Sequence, residues 1–191
     1  MSAPAPLVVL TGASGAGKTT LCRGLAEAAR AAGRDVAGIL SPALVREGRK
    51  VGIEALDPRT GQTRPFASLH AGDPPQAGAP APGLLMGPWA FDEETIAWGN
   101  ALLRAATPCE LLLVDELGTL EFVRHQGWLE GFAALDSGRY LQAVAVVRHD
   151  LVGAATARWP HAEVLDAGAA GARRRFAERL DPFRAPAGGA R

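Results

Sequence analysis

The sequence predicts an α/β domain of three layers, a mostly parallel sheet between helices, with a small antiparallel excursion inserted in it. Three observations predict this. Apolar runs at residues 7–10, 111–114 and 141–147 have the length and content of strands buried on both faces. Segments with a helical apolar stripe fall between them, and strands alternating with helices favour a parallel sheet covered on both sides. Between the first two runs lie short alternating segments bounded by turn residues, the pattern of antiparallel strands.

Taken in order, residues 7–10 end in a Gly-rich turn. From Lys18 the apolar spacing becomes helical, with Leu21, Leu25 and Ala28 on one face and Gly33 as a C-terminal stop. Residues 35–40 read as a second strand and 46–50 as a polar turn around Gly48. Residues 51–56 place Val51, Ile53 and Ala55 on one face, 57–61 form another turn, and 63–69 a third strand. Residues 36–69 are therefore expected to form the antiparallel excursion. Residues 71–88, dense in Pro, Gly and Ala, read as a surface loop. Asp92 is placed to cap a helix reaching about Ala106. The apolar run 111–114 ends at Asp115-Glu116. Trp128, Leu129, Phe132, Ala133 and Leu135 share a helical face, and 141–147 is a further strand. A short helix at 152–158, a short strand at 162–165 and a final helix at 168–180 complete the domain, residues 1–181. The Pro/Gly-rich residues 182–191 read as a flexible tail.

Length and composition bound the function. A chain of 191 residues suits one such domain and is short for two. With 48% apolar residues it is globular, and 20 basic residues balance 20 acidic ones, so no general basic field invites nucleic acid or a membrane surface. Cys22 and Cys109 have no metal-ligand or CxxC spacing and read as free thiols. The N-terminal apolar run is too short for a signal sequence, and no stretch approaches the ~20 apolar residues of a membrane span. A cytoplasmic protein is expected.

The firmest chemical signal is Gly12-Ala13-Ser14-Gly15-Ala16-Gly17-Lys18-Thr19, a Gly-x-x-x-x-Gly-Lys-Thr loop (Walker A). Glycines let the backbone curl around an anion without Cβ clashes. The curled N–H groups and the start of the following helix present positive partial charge to phosphates. Lys18 is placed to reach the β- and γ-phosphates, and the Thr19 hydroxyl is a hard oxygen ligand for Mg²⁺. Thr20 fits the same tight loop. Lys18 and Lys50 are the only lysines, and one of them falls at the required place, which makes an accidental match rare. The loop also follows a strand and opens a helix, as the chemistry requires.

A phosphate cradle needs a second element to hold the metal. Residues 111–114 deliver Asp115 and Glu116 at the end of an apolar strand (Walker B), the edge at which ligands bind in doubly wound sheets. Asp115 is expected at Mg²⁺, directly or through water. Glu116 is expected to polarise a water against the γ-phosphate, the alternative being a surface carboxylate or an arginine partner. Arg148 and His149 follow a strand on the same expected edge, where an arginine can touch the γ-phosphate; an ordinary charged loop is the alternative. Glu121 reads as a support for the site or as a helix-start carboxylate. The four histidines lack metal-ligand spacing. Trp89, Trp98, Trp128 and Trp159 have settings that favour core packing over stacking on a base. Arg173-Arg174-Arg175 reads as a solvated helix face. Arg46, Arg49 and Lys50 read as turn charges, with reach to a nucleotide if the excursion folds over it.

Together these residues resemble the small nucleoside-triphosphatase family first recognised in thermophilic microbes, which includes the animal cancer-related nucleoside-triphosphatase. The resemblance lies in the loop from Gly12 to Thr20 and in Val45-Arg-Glu-Gly-Arg-Lys-Val-Gly-Ile-Glu. It extends to the Gly87-to-Asp92 lead into a helix and to Asp115-Glu116-Leu117-Gly118-Thr119-Leu120-Glu121, where the family has Asp-Glu-Ile-Gly-Lys-Met-Glu. It implies a RecA-like P-loop NTPase fold and Mg²⁺-dependent hydrolysis of an NTP (ATP, GTP or others) to NDP and phosphate with loose choice of base. Two departures stand out: Thr119 replaces the family's common lysine, and the 71–88 loop is long and Pro-rich.

Hydrolysis is thus the leading expectation. A small-molecule or nucleotide kinase, with an acceptor pocket from residues 41–90, and a nucleotide-gated binding protein with negligible turnover are the alternatives. A GTP switch is disfavoured because neither lysine lies in an Asn-Lys-x-Asp motif. A protein kinase is disfavoured because Asp-Phe-Gly and His-Arg-Asp elements are missing. Neither a nucleic acid nor a membrane is an expected partner.

Overall fold

From the N-terminus the chain forms β1 (Leu7–Thr11), α1 (Lys18–Ala31), β2 (Val36–Ile39), β3 (Ala43–Arg46), β4 (Arg49–Leu56), β5 (Thr63–Leu69), β6 (Leu85–Met86) and β7 (Trp89–Phe91). It continues with α2 (Glu93–Arg104), β8 (Cys109–Leu117), α3 (Thr119–Phe122), α4 (Leu129–Asp136), β9 (Tyr140–Val147), α5 (Val152–Arg158), β10 (Glu163–Asp166) and α6 (Ala172–Leu180). The computed structural model describes residues 4–69 and 84–181. Most of the expected 71–88 loop and the 182–191 tail lie outside the described residues.

The strands make two five-stranded sheets, ordered β10-β1-β9-β8-β2 and β3-β4-β5-β7-β6. Every pairing in the first is parallel. Its central strands are the apolar runs read from the sequence, and alternate residues serve two cores. Val8, Leu10, Leu111, Leu113, Val144 and Val146 face α1 and α6, meeting Cys22, Leu25, Ala29 and Phe176. Val9, Leu112, Val114, Ala143, Ala145 and Val147 face the opposite layer, with Trp128 and Trp159. The two-sided burial explains why these strands read as continuous apolar runs. A short 3-10 turn, His149–Leu151, follows β9.

The second sheet is antiparallel throughout. Ile53, Ala55, Phe66, Ala67 and Phe91 on its inner face join the same core as Val9 and Val114. A Leu40–Leu56 bridge ties it to the end of β2. Its first hairpin turns on Glu47 (φ 49°) and Gly48 (φ 74°), the left-handed pair of a two-residue turn matched to strand twist.

The extent of the antiparallel excursion is corrected from 36–69. β2 pairs in parallel with β8, Val36 opposite Leu111 through Ile39 opposite Val114. All four of its residues are buried, which suits a central strand and not a half-solvated one. The antiparallel sheet instead runs from Ala43 to Phe91. The described end of the 71–88 loop, residues 84–88, contains β6 paired with β7. The last helix begins at Ala172, because residues 167–171 are spent in turns ending at left-handed Gly171. Asp92 caps α2 as expected, its Oδ1 accepting the Thr95 N–H at 2.6 Å.

Candidate nucleotide-binding site

The loop between β1 and α1 is shaped by glycines in conformations that other residues adopt at a cost. Gly12 has φ 131°, Gly15 80° and Gly17 86°. At Gly12 space matters as well: a Cβ there would lie 2.9 Å from the Asp166 Oδ1 on β10. Gly17 is the N-cap of α1 and offers no side-chain cap, and the first turn of α1 carries no acid. The first N–H groups of α1 are thus left for an anion. The Lys18 Nζ donates to the Gly12 carbonyl at 2.7 Å and the Ala13 carbonyl at 2.9 Å, spanning the loop it has to serve.

β8 carries the acids, and it does not stop at them as its apolar run implied. It continues to Leu117 through an irregularity: Val114 pairs with Ala145 and Leu117 with Val147, so β8 holds one residue more than β9 over that interval. Such a bulge re-aims side chains at a sheet edge. Glu116 lies in it with φ 70°, a left-handed conformation that a glutamate adopts at a cost of about 1–3 kcal/mol. The strain brings Glu116 into a cavity of about 360 Å³ with Gly12, Ala13, Ser14, Lys18 and Arg148. It also borders a cavity of about 740 Å³ over the loop and the start of α1, with Thr19, Thr20 and Ser41.

Asp115 is fully buried. Its Oδ2 accepts the Ser41 N–H at 3.1 Å. Among the described residues its Oδ1 has no hydrogen-bond partner, and neither has the buried Ser41 Oγ. Burial and the neighbouring Glu116 charge push this carboxyl well above its ordinary value, against the opposing pull of the Ser41 N–H and the Thr19 hydroxyl. A buried carboxylate oxygen with nothing to bind, beside a threonine hydroxyl, at the mouth of an anion cradle, is a hard-oxygen set that suits Mg²⁺. A divalent cation would relieve the charge burial that raises Asp115.

Two residues stand at the site that the sequence underrated. Lys50, at the start of β4, borders both phosphate-side cavities and lies over the Trp89 ring at 5.1 Å. The β3–β4 hairpin does fold over the loop, and that conditional reading was the one available signal. Arg173 stands beside Gly17, its Nη2 3.5 Å from where a Cβ would be. A run of three arginines, all exposed, gave no means of telling which one reaches the loop.

Arg148 borders the 360 Å³ cavity and is held by Asp150, with Nε and Nη2 both at 3.1 Å from its carboxylate. That pair is half-exposed, so it restrains the arginine weakly. Glu121 has the helix-start role: Oε2 accepts the Gly118 N–H at 2.8 Å and Oε1 the Trp128 N–H at 2.9 Å. Burial raises its carboxyl to about 7. It borders a separate cavity of about 140 Å³ with Phe66, Trp89 and Phe91, whose rim includes Lys50, Glu116 and Arg148.

A phosphate-type loop on β1, facing acids on β8 across β9 in a parallel sheet, defines a P-loop nucleotide-binding domain. The model of a family described as NTPase matches residues 7–150, and the chain belongs to that family. It is similar to the nucleoside-triphosphatase THEP1 of Korarchaeum cryptofilum (strain OPF8), 32% identical over 115 residues, which are 60% of this chain and 55% of the relative. It is also similar to the THEP1 of Thermococcus kodakarensis, 31% identical over 123 residues, 62% of this chain and 64% of that one. The chain thus spans between about half and two thirds of the length of these relatives. Among solved structures, a human cancer-related nucleoside triphosphatase matches with a TM-score of 0.67 at 20% identity, over 93% of this chain and 97% of that one. THEP1 from Aquifex aeolicus matches with a TM-score of 0.61 at 16% identity, over 93% and 98%. At those identities the fold is what is shared, and it agrees with the P-loop NTPase fold expected.

Proposed function

We propose that the chain is a Mg²⁺-dependent nucleoside-triphosphatase that hydrolyses NTP to NDP and phosphate. The observation that carries this reading is Glu116, held in a left-handed bulge that turns its carboxylate toward the cradle of Lys18. Glu47 is left-handed as well, in a hairpin turn, but it borders neither cavity of the cradle, whereas Glu116 borders both.

In this reading the loop N–H groups from Ser14 onward and the start of α1 bind the phosphates, with Thr20 completing the cradle. Lys18 exchanges its two carbonyl partners for β- and γ-phosphate oxygens. The Thr19 hydroxyl and the Asp115 carboxylate would hold Mg²⁺, which would supply positive charge against the charge of the phosphates. Glu116 accepts a proton from water as the water oxygen bonds to the γ-phosphorus, and the bridging bond to the β-phosphate breaks. Arg148, with its half-exposed partner, is free to swing toward the charge that develops on the γ-phosphoryl group. Glu121 supports the site at one remove, by fixing the turn after β8.

The test is phosphate release from ATP, GTP, CTP and UTP with Mg²⁺. Wild type should release phosphate steadily. Glu116→Gln should retain nucleotide binding and lose roughly a hundredfold to ten-thousandfold in kcat, while Lys18→Ala should lose both. Tight NTP binding by wild type with release at background level would sink hydrolysis and leave a binding protein.

One observation favours a second reading, a small-molecule kinase. The 140 Å³ aromatic cavity shares Lys50, Glu116 and Arg148 with the phosphate side, as an acceptor pocket would. In that case a hydroxyl takes the place of water and NDP forms in excess of free phosphate. Measuring both products with benzyl alcohol added decides this: equal amounts count against the kinase.

A further inference from the structure

A groove of about 140 Å³ runs between α1 and α6, lined by Thr20, Leu21, Gly24, Phe176 and Ala177, with Arg173 on its rim. Two facts relate it to the phosphate loop. Thr20 borders both this groove and the 740 Å³ cavity, so the two adjoin. The Arg173 guanidinium reaches back to Gly17, the cap of α1.

The acids mark the other end of the site. In the order β10-β1-β9-β8-β2, Asp115 and Glu116 stand on β8, whereas α6 follows β10 on the far side of β1. A triphosphate with its γ-phosphate at Glu116 therefore directs its nucleoside toward α6. We infer that the α1–α6 groove is the nucleoside subsite, with the base on the apolar floor of Leu21, Phe176 and Ala177 and the Arg173 guanidinium stacked against it. The inference rests on the nucleotide reading above and adds to it the part of the substrate that the loop does not touch.

The chemistry suits a base. Phe176 is buried and gives the floor a fixed surface. Arg173 is exposed, and a guanidinium stacks on a π-face while bringing positive charge to the α-phosphate side. Arg174 instead forms a 3.6 Å ion pair with Glu178 along the helix. Among the described residues lining the groove, Thr20 is the one besides Arg173 with a side-chain hydrogen-bonding group. A surface of this kind grips a base by its face, which every base has, and reads its edge poorly. Loose base choice then has a physical cause.

Equilibrium binding of ATP and of inorganic tripolyphosphate to the full chain, each with Mg²⁺, tests this in wild type, Arg173→Lys and Gly24→Leu. Lysine keeps the charge and loses the flat face. At Gly24 an added Cβ meets nothing within 4 Å, so a leucine there starts into open space at the groove. Both variants should bind ATP roughly threefold to thirtyfold more weakly and tripolyphosphate as wild type does, with GTP, CTP and UTP weakened in parallel. ATP binding unchanged in both variants overturns the subsite. So does an equal loss for tripolyphosphate, which would make these residues part of the phosphate cradle. Wild type that binds neither ligand defeats the nucleotide reading itself, a result distinct from either.

Discussion

The two sheets of this molecule solve different problems. The parallel sheet is sealed on both faces, and what it presents for chemistry lies at one edge, where β1 leads into Gly12 and β8 carries the Asp115–Glu116 bulge. The antiparallel sheet is sealed on one face only. Val45 is 58% exposed on β3, and Lys50 stands at the start of β4 over the loop. The first is a rigid platform that fixes carboxylates to within a side chain's reach. The second is a cover whose charges meet the site from across a gap. Position is set by burial in one and by a hairpin's reach in the other, so the same kind of substitution should act differently in each.

The largest expected effect comes from breaking the join between them. Trp128 is fully buried, stacks on Phe66 of the antiparallel sheet at 4.3 Å and packs against Gly99 of α2. Trp128→Ala should cost about 3–5 kcal/mol in urea unfolding. A two-step transition in that variant would mean that the sheets are only loosely coupled; a single transition at lower urea would mean that they share one core. Next is Lys50→Ala, which should leave the unfolding midpoint in place and weaken NTP affinity by about 1 kcal/mol, less so at high salt. A shifted midpoint would show that the cover is structural at that residue.

The third effect, one of pH, is expected to fall between these two in size. Glu121 has a folded value raised from 4.5 to about 7 by burial, with Glu116 adding to the rise. The folded state thus holds a proton that the unfolded chain gives up near its ordinary value. The contribution is fully present below about 4.5 and is lost as pH rises through about 7. The urea midpoint should fall across that window, and Glu121→Gln should remove part of the fall, Asp115 being raised by burial as well. A wild-type profile flat from pH 4.5 to 7 would contradict the assignment.

Legibility in the sequence followed the same division. β1, β8 and β9 are legible because double burial writes an unbroken apolar run, and the loop after β1 is legible because its chemistry demands fixed residues at fixed places. β2 was assigned to the wrong sheet because four apolar residues say nothing of their partner, and that partner, β8, lies some 70 residues downstream. α3 and β6, with four and two residues, are too short to carry a period. Glu116 was legible as an acid at a strand end, but not as a residue held at φ 70°. Lys50 and Arg173 were read as surface charges, and Arg173 is exposed; that both lie near the loop shows only when their neighbours across the fold are known. Of the four tryptophans, Trp128 and Trp159 are buried in the core and Trp89 and Trp98 pack half-buried against it, under Lys50 and Arg64.

The bulge in β8 makes the site a matter of counting. A chain shortened by one residue between Val114 and Leu117 would restore an even ladder with β9, keep its hydropathy profile and lose the turn that swings Glu116 outward. When such chains are aligned by their apolar residues, a gap opened at this point can shift the glutamate by one position without disturbing the match on either side. A single-residue length change here would thus let a chain keep the fold and lose the placement of its carboxylate.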